Sequence, residues 1–200
     1  MSTATTSSSD PIAAELAAGS PAEGSAGVSA VSIRERLQGP EADSIRRKIT
    51  HPLLSRLWMA VKLPLGLFSG MRIRHLDAER CEVAIRYGWR NTNPFRSMYF
   101  AAQSMAAELS TGAPALVAAR SAPESVAMLI TGLDASFSKK ADSLIVFTCD
   151  SGDQLAAAVE ETLATGEGAS ADVVSIGRNP QGEEVARFVF RWSFRVRRKR

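Results

Sequence analysis

The chain has 200 residues, 45% of them hydrophobic and 22% charged, which suits one packed domain with a tail. Five of the last six residues are Arg or Lys, so the net charge of +3 leaves −2 on the rest (3 less 5), and the body is not a basic nucleic-acid surface. The two histidines, His51 and His75, lie far apart with no ligand pattern around them, which argues against a metal site and against a Ser-His-Asp triad.

Residues 1–31 are Ser, Ala, Gly and Thr with a few acids, and the first basic residue is Arg34. A secretory signal or a mitochondrial transit peptide needs basic residues here, so neither is expected. Without bulky apolar side chains to offset ordering entropy, this segment is expected to be a disordered tail. Residues 32–69 are expected to be N-terminal amphipathic helices packing on the domain. Ser32–Leu37 forms a short helix ending near Gly39-Pro40, and a second starts near Glu41 with Ile45 and Ile49. His51 to Gly70 is the most hydrophobic stretch, but Arg56, Lys62, Pro64 and Gly66 interrupt it before it reaches the length of a membrane span. It reads as two short amphipathic helices covering the core, with interfacial contact with a membrane as the lesser reading.

From residue 70 to 196 the pattern turns to β structure around one helix. Met71, Ile73 and His75 alternate with arginines, and Cys81, Val83, Ile85 and Tyr87 alternate with Arg80, Glu82, Ala84 and Arg86. His75 is expected on a strand, facing partly to water. Cys81 and Cys149 fall in strand runs and are expected as buried thiols in a reducing compartment, hence a cytoplasmic location. Ser97 to Gly112 is predicted helical, with Met98, Met105 and Leu109 in the core. Its single charge, Glu108, lies on a stripe of small or polar residues with Ser97, Ala101, Ser104 and Thr111. A solvent-facing helix carries a charged face. This one is expected inside a sheet, where a confined carboxylate has a raised pKa and is a candidate general base or nucleophile. The competing reading is a half-exposed helix with Glu108 in water. Ser104, one turn away, is placed to hydrogen-bond Glu108 and keep it ionised.

After the helix, Ser125 to Lys139 reads as one long strand or two broken ones, and Leu144–Cys149 as another. An amphipathic helix with Leu155, Val159 and Leu163 follows, closed by Gly166. Asp172–Gly177 is a strand, and Asn179-Pro180-Gln181-Gly182 a turn. The last strand puts Ala186, Phe188, Phe190, Trp192, Phe194 and Val196 on one face, and Arg187, Arg191 and Arg195 on the other. Residues 197–200 are read as a solvated basic tail.

The run Trp89 to Ala102, leading to Ala106-Ala107-Glu108-Leu109, resembles the central segment of DUF4442, a thioesterase-like family with the hotdog fold. Phe137-Ser138-Lys139-Lys140-Ala141 is similar to the family's passage between its third and fourth strands, and Gly182 to Ala186 to its closing hairpin. The resemblance covers roughly Leu53 to Val196. It implies an α+β hotdog fold, in which a curved antiparallel sheet wraps a central helix. It also implies an acyl-CoA or acyl-carrier thioester as ligand and a homodimer or higher homo-oligomer; no cofactor, metal or nucleic acid is expected.

In several acyl-CoA thioesterases of the superfamily, a helix carboxylate stands nine residues after a His. Glu108 takes the carboxylate position here, while Tyr99 replaces the His and Arg96 stands where glycine is common. The resemblance makes Glu108 the catalytic candidate, and Asn93, Arg96, Met98, Tyr99, Gln103 and Ser104 the substrate-binding ones. Arg96 would block a carbonyl or hold a ligand's phosphate. Gln103 would line the cavity or merely pack. For Asn91 and Asn93, turn formation is the simpler reading. Amides near Met98 and Tyr99 would hold the thioester oxygen. Tyr99 and Glu108 are nine helical residues apart, about 13 Å, so a shared site needs the helix start of one subunit and the carboxylate of another.

Overall fold

Strand alternation builds the sheet. The computed structural model describes residues 31–197. It contains helices α1 (Ile33–Leu37), α2 (Pro40–Thr50), α3 (Pro52–Lys62) and α4 (Pro64–Ser69), then strands β1 (Arg72–Leu76) and β2 (Cys81–Arg86). Helix α5 (Phe100–Ser121), β3 (Val126–Phe137), β4 (Leu144–Cys149), α6 (Gly152–Thr165), β5 (Ala169–Arg178) and β6 (Glu184–Val196) follow. The six strands form one antiparallel sheet in the order β1-β2-β4-β5-β6-β3. On β6 the expected aromatic face is buried and Arg187, Arg191 and Arg195 are exposed. Cys81 and Cys149 are register partners on β2 and β4, both buried and unbonded, and burial pushes both thiols up, away from the reactive thiolate.

All six strands touch α5, so the sheet wraps the helix in the α+β hotdog arrangement. The helix is longer than its sequence suggests. It starts at Phe100, leaving Ser97 and Met98 in the preceding loop, and runs through Gly112 and Pro114 to Ser121. A proline inside a helix removes a backbone hydrogen bond, which makes Pro114 read as a stop. Here Ala113, Pro114, Ala115, Val117, Ala118 and Ala119 are all buried, and this packing overrides local propensity. Gly112 sits at a close approach to β6. A Cβ there would sit 3.2 Å from the Trp192 ring and 3.5 Å from Glu108 Oε1. Met105 lies half-buried against the core rather than within it. Strand β3 is continuous, with an irregularity between Ile130 and Gly132, and it is an edge strand paired only with β6.

At the N-terminal side, Ser32 and Glu35 form a reciprocal capping box on α1, and the Ile33 amide donates to Glu160 Oε1 at 2.8 Å. Helix α1 thus rests on α6 and α5, and α2 on α5 and β1. At the other end the Arg197 amide donates to Ser125 O at 2.8 Å, so this residue continues the β3–β6 pairing instead of opening a tail. The expectations for residues 1–30 and 198–200 fall outside the described residues.

Candidate active site

The loop before α5 is built by asparagines. Asn91 is buried; its Oδ1 accepts from the Gly88 amide, and its Nδ2 donates to Ser69 O and Arg86 O. Asn93 Oδ1 accepts from the Phe95 and Ser97 amides, so both asparagines hold turns, as the simpler reading expects. Within this turn Arg96 is the one non-glycine residue with positive φ (55°) among the described residues. Its left-handed backbone explains why glycine suits the position. We expect Arg96→Gly to stabilise the protein by about 1 kcal/mol, read as a raised Tm. A lowered Tm would show that the arginine side chain contributes more than its backbone strain.

The amides expected to receive a carbonyl oxygen are already engaged. Met98 N donates to Ala141 O at 2.8 Å and Tyr99 N to Asn91 O at 2.7 Å. Tyr99 is the N-cap and supplies no side-chain cap. The donors left without an acceptor among the described residues are the Phe100 and Ala101 amides, at the positive end of a 22-residue helix. Sequence reasoning missed them because the helix starts three residues later than predicted.

Phe100 lines a groove of about 600 Å³ together with Asn93, Phe95, Tyr99, Gln103 and Phe137, with Lys139 and Lys140 at its side, while Ala101 is not part of that lining. Arg96 is not part of its lining. Gln103 is 4% exposed and donates from Nε2 to Met98 O at 3.1 Å. That bond fixes the amide's orientation and leaves Oε1 buried with no partner. A buried acceptor without a donor is costly, so this atom is set to receive an N–H or O–H.

Glu108 occupies a second pocket, of about 170 Å³, lined mainly by apolar groups including Trp58, Leu63, Leu109, Met128 and Trp192. Trp192 Nε1 donates to Thr111 Oγ1 at 3.0 Å, which fixes the indole beside the carboxylate. Ser104 makes no hydrogen bond to Glu108. The carboxylate has neither an ion pair nor a hydrogen bond among the described residues, and burial raises its pKa above the ordinary 4.5. Along α5, the residues left half-covered are Ala101, Ser104, Met105, Glu108, Gly112 and Leu116. Their spacing makes one open stripe, with Glu108 in its middle.

The raised pKa has a consequence for stability. The folded state holds the Glu108 proton more tightly than the unfolded state. Its contribution is therefore fully present below about 4.5 and is lost as pH rises through the folded-state pKa. Glu108→Gln is expected to be at least as stable as the parent at neutral pH, with the difference shrinking as pH falls through the folded-state pKa and gone below about 4.5. Urea melts at two pH values check this, and a variant less stable at neutral pH would contradict it.

A sequence profile for a domain of unknown function, DUF4442, matches residues 52–194. The chain belongs to the DUF4442 family. No curated protein matches it in sequence. Solved structures similar to this DUF4442 chain include a protein of unknown function from Chlorobaculum tepidum TLS, with 13% identity and a TM-score of 0.65, covering 78% of this chain and 98% of that one. Another is a Pseudomonas aeruginosa protein described as a probable thioesterase, with 22% identity and a TM-score of 0.61, covering 72% and 95%. A candidate thioesterase from Shewanella oneidensis has 11% identity and a TM-score of 0.60, covering 76% and 97%. At these identities the likeness is one of fold, and the fold is the thioesterase-like hotdog. No helix among the described residues is long and apolar enough to cross a membrane.

Proposed function

We propose that this protein binds an acyl-CoA or acyl-carrier thioester and hydrolyses it as a cytoplasmic homodimer. The observation that carries this reading is the Glu108 carboxylate, unpaired and desolvated on the open stripe of a wrapped helix. The helix that bears it also begins with two unengaged amide donors. About 10 Å of helix separates Ala101 from Glu108, so one copy cannot bring both to a single carbonyl. Two copies related by a twofold axis through the open stripes can. The β3 edge supports such pairing, because it is 12 residues long, lacks an outer neighbour and exposes Leu129, Leu133 and Phe137.

In this reading Glu108 of one subunit takes a proton from water while the hydroxide adds to the thioester carbon. The oxygen gathers charge against the Phe100 and Ala101 amides of the other subunit. The C–S bond then breaks and the protonated carboxyl returns its proton to the leaving thiolate. The Gln103 Oε1 suits an amide N–H of a pantetheine arm lying in the groove. Tyr99 in place of a histidine favours one alternative, a hotdog protein that binds the thioester without turning it over. A panel of acyl-CoA substrates separates the two: thioester cleavage above background supports the enzyme. Saturable binding with no cleavage supports the binding protein.

A further inference from the structure

Helices α3 and α4 carry a second surface, next to the Glu108 pocket that Trp58 and Leu63 help to line. Helix α3 buries Met59 but leaves Leu53, Leu57 and Val61 exposed one turn apart, and α4 continues the patch with Leu65 and Phe68. Phe68 meets Trp89 edge-to-face at 5.9 Å, and Trp89 is 80% exposed. Leu57 and Val61 are 65% and 69% exposed, which is far more than an amphipathic helix covering a core should leave in water.

Charge says what the patch meets. Between Ser44 and Leu76 the chain carries seven Lys or Arg and no Asp or Glu. Arg46 pairs with Asp43, while Arg56 and Lys62 on α3 have no carboxylate partner among the described residues. Past the end of α4, a concave site of about 310 Å³ is lined by Gly70, Ile73 and Leu144 and by three arginines, Arg72, Arg74 and Arg86. None of the three has an ion pair among the described residues. A second copy is a poor occupant, since self-pairing through this face would bring the same unpaired cations together. The arginine site sits on β1 and β2, across the sheet from the β3 edge, so a dimer built on β3 leaves it free.

We infer that α3, α4 and the Arg72–Arg74–Arg86 site form a docking face for an anionic phospholipid membrane, with the leucines and aromatics entering the headgroup boundary and the arginines holding lipid phosphates. This surface is independent of the hydrolytic reading: it would present the protein to lipid whether or not Glu108 is catalytic.

The test is co-sedimentation of the full chain with phosphatidylcholine vesicles, with and without about one-third phosphatidylglycerol. The face predicts binding to the anionic vesicles that weakens at high salt, and little binding to the neutral ones. Leu57→Glu with Val61→Glu should lower binding by about tenfold or more while leaving melting and solution mass unchanged. Arg72→Gln, Arg74→Gln and Arg86→Gln together should lower the preference for anionic vesicles, and this variant gives the reading if the first one fails to fold. No binding of the full chain, or binding indifferent to both variants, overturns the proposal. So does a halved solution mass in the Leu57→Glu, Val61→Glu protein, which would make the patch an interface between copies.

Discussion

Glu108→Gln is expected to lower thioester turnover by roughly a hundredfold or more, the scale of losing a positioned general base, while leaving folding and dimer mass intact. The substitution keeps the side chain's size and removes only its ability to take a proton. In an apolar pocket with no bonded partner, nothing else depends on the charge. Glu108→Asp should retain less activity than the parent, because the carboxylate retracts by one methylene. Kinetics on a responsive acyl-CoA, with mass measured alongside, checks both. An unimpaired Glu108→Gln would remove this residue from the mechanism and leave the binding-protein reading.

The largest expected effect on stability lies at Phe188. Its side chain is fully buried on β6 and packs edge-to-face on Phe147 and Phe137 and stacked on Phe190. Phe188→Ala removes the ring and leaves a cavity that these neighbours cannot all close. The cost should be about 3–5 kcal/mol, a large share of the roughly 5–15 kcal/mol that holds a domain together. Gly177 is fitted to this cluster, since a Cβ there would lie 2.5 Å from the Phe147 ring. Denaturant melts should show a much lowered midpoint. A loss under about 1 kcal/mol would mean that the cluster is looser than its packing shows.

How much of this could be read from residues alone follows from the physics of each signal. The β6 pattern is strict alternation of aromatic and arginine, and both its faces came out as predicted because a one-residue slip would bury three arginines. The Glu108 stripe was legible for a similar reason, as a charge alone among small residues at helical spacing. The extent of α5 was not. Gly112 and Pro114 are local stop signals, and only the surrounding sheet, with Trp192 seated against Gly112, explains why the helix continues. The start of α5 was obscured by Ser97 and Met98, which read as helix but lie in the Asn93 turn. That shift moved the open donors from Met98 and Tyr99 to Phe100 and Ala101. The orphaned Gln103 oxygen had no sequence signal, since it depends on a bond across five residues to the Met98 carbonyl. Strands β5 and β6 begin a few residues earlier than expected, and the added Ala169, Ala171 and Val185 are buried, with small alanines giving a weak alternation signal.

The shared site is tested most directly by mixing two damaged subunits. Phe100→Pro removes the first open donor while keeping a φ suited to the opening of a helix, and Glu108→Gln removes the base. Each homodimer should be nearly inactive. A verified heterodimer of the two has one site with both parts intact, so its activity should return to about half of the parent's. Heterodimers as inactive as both homodimers would contradict a site built from the helix start of one subunit and Glu108 of the other.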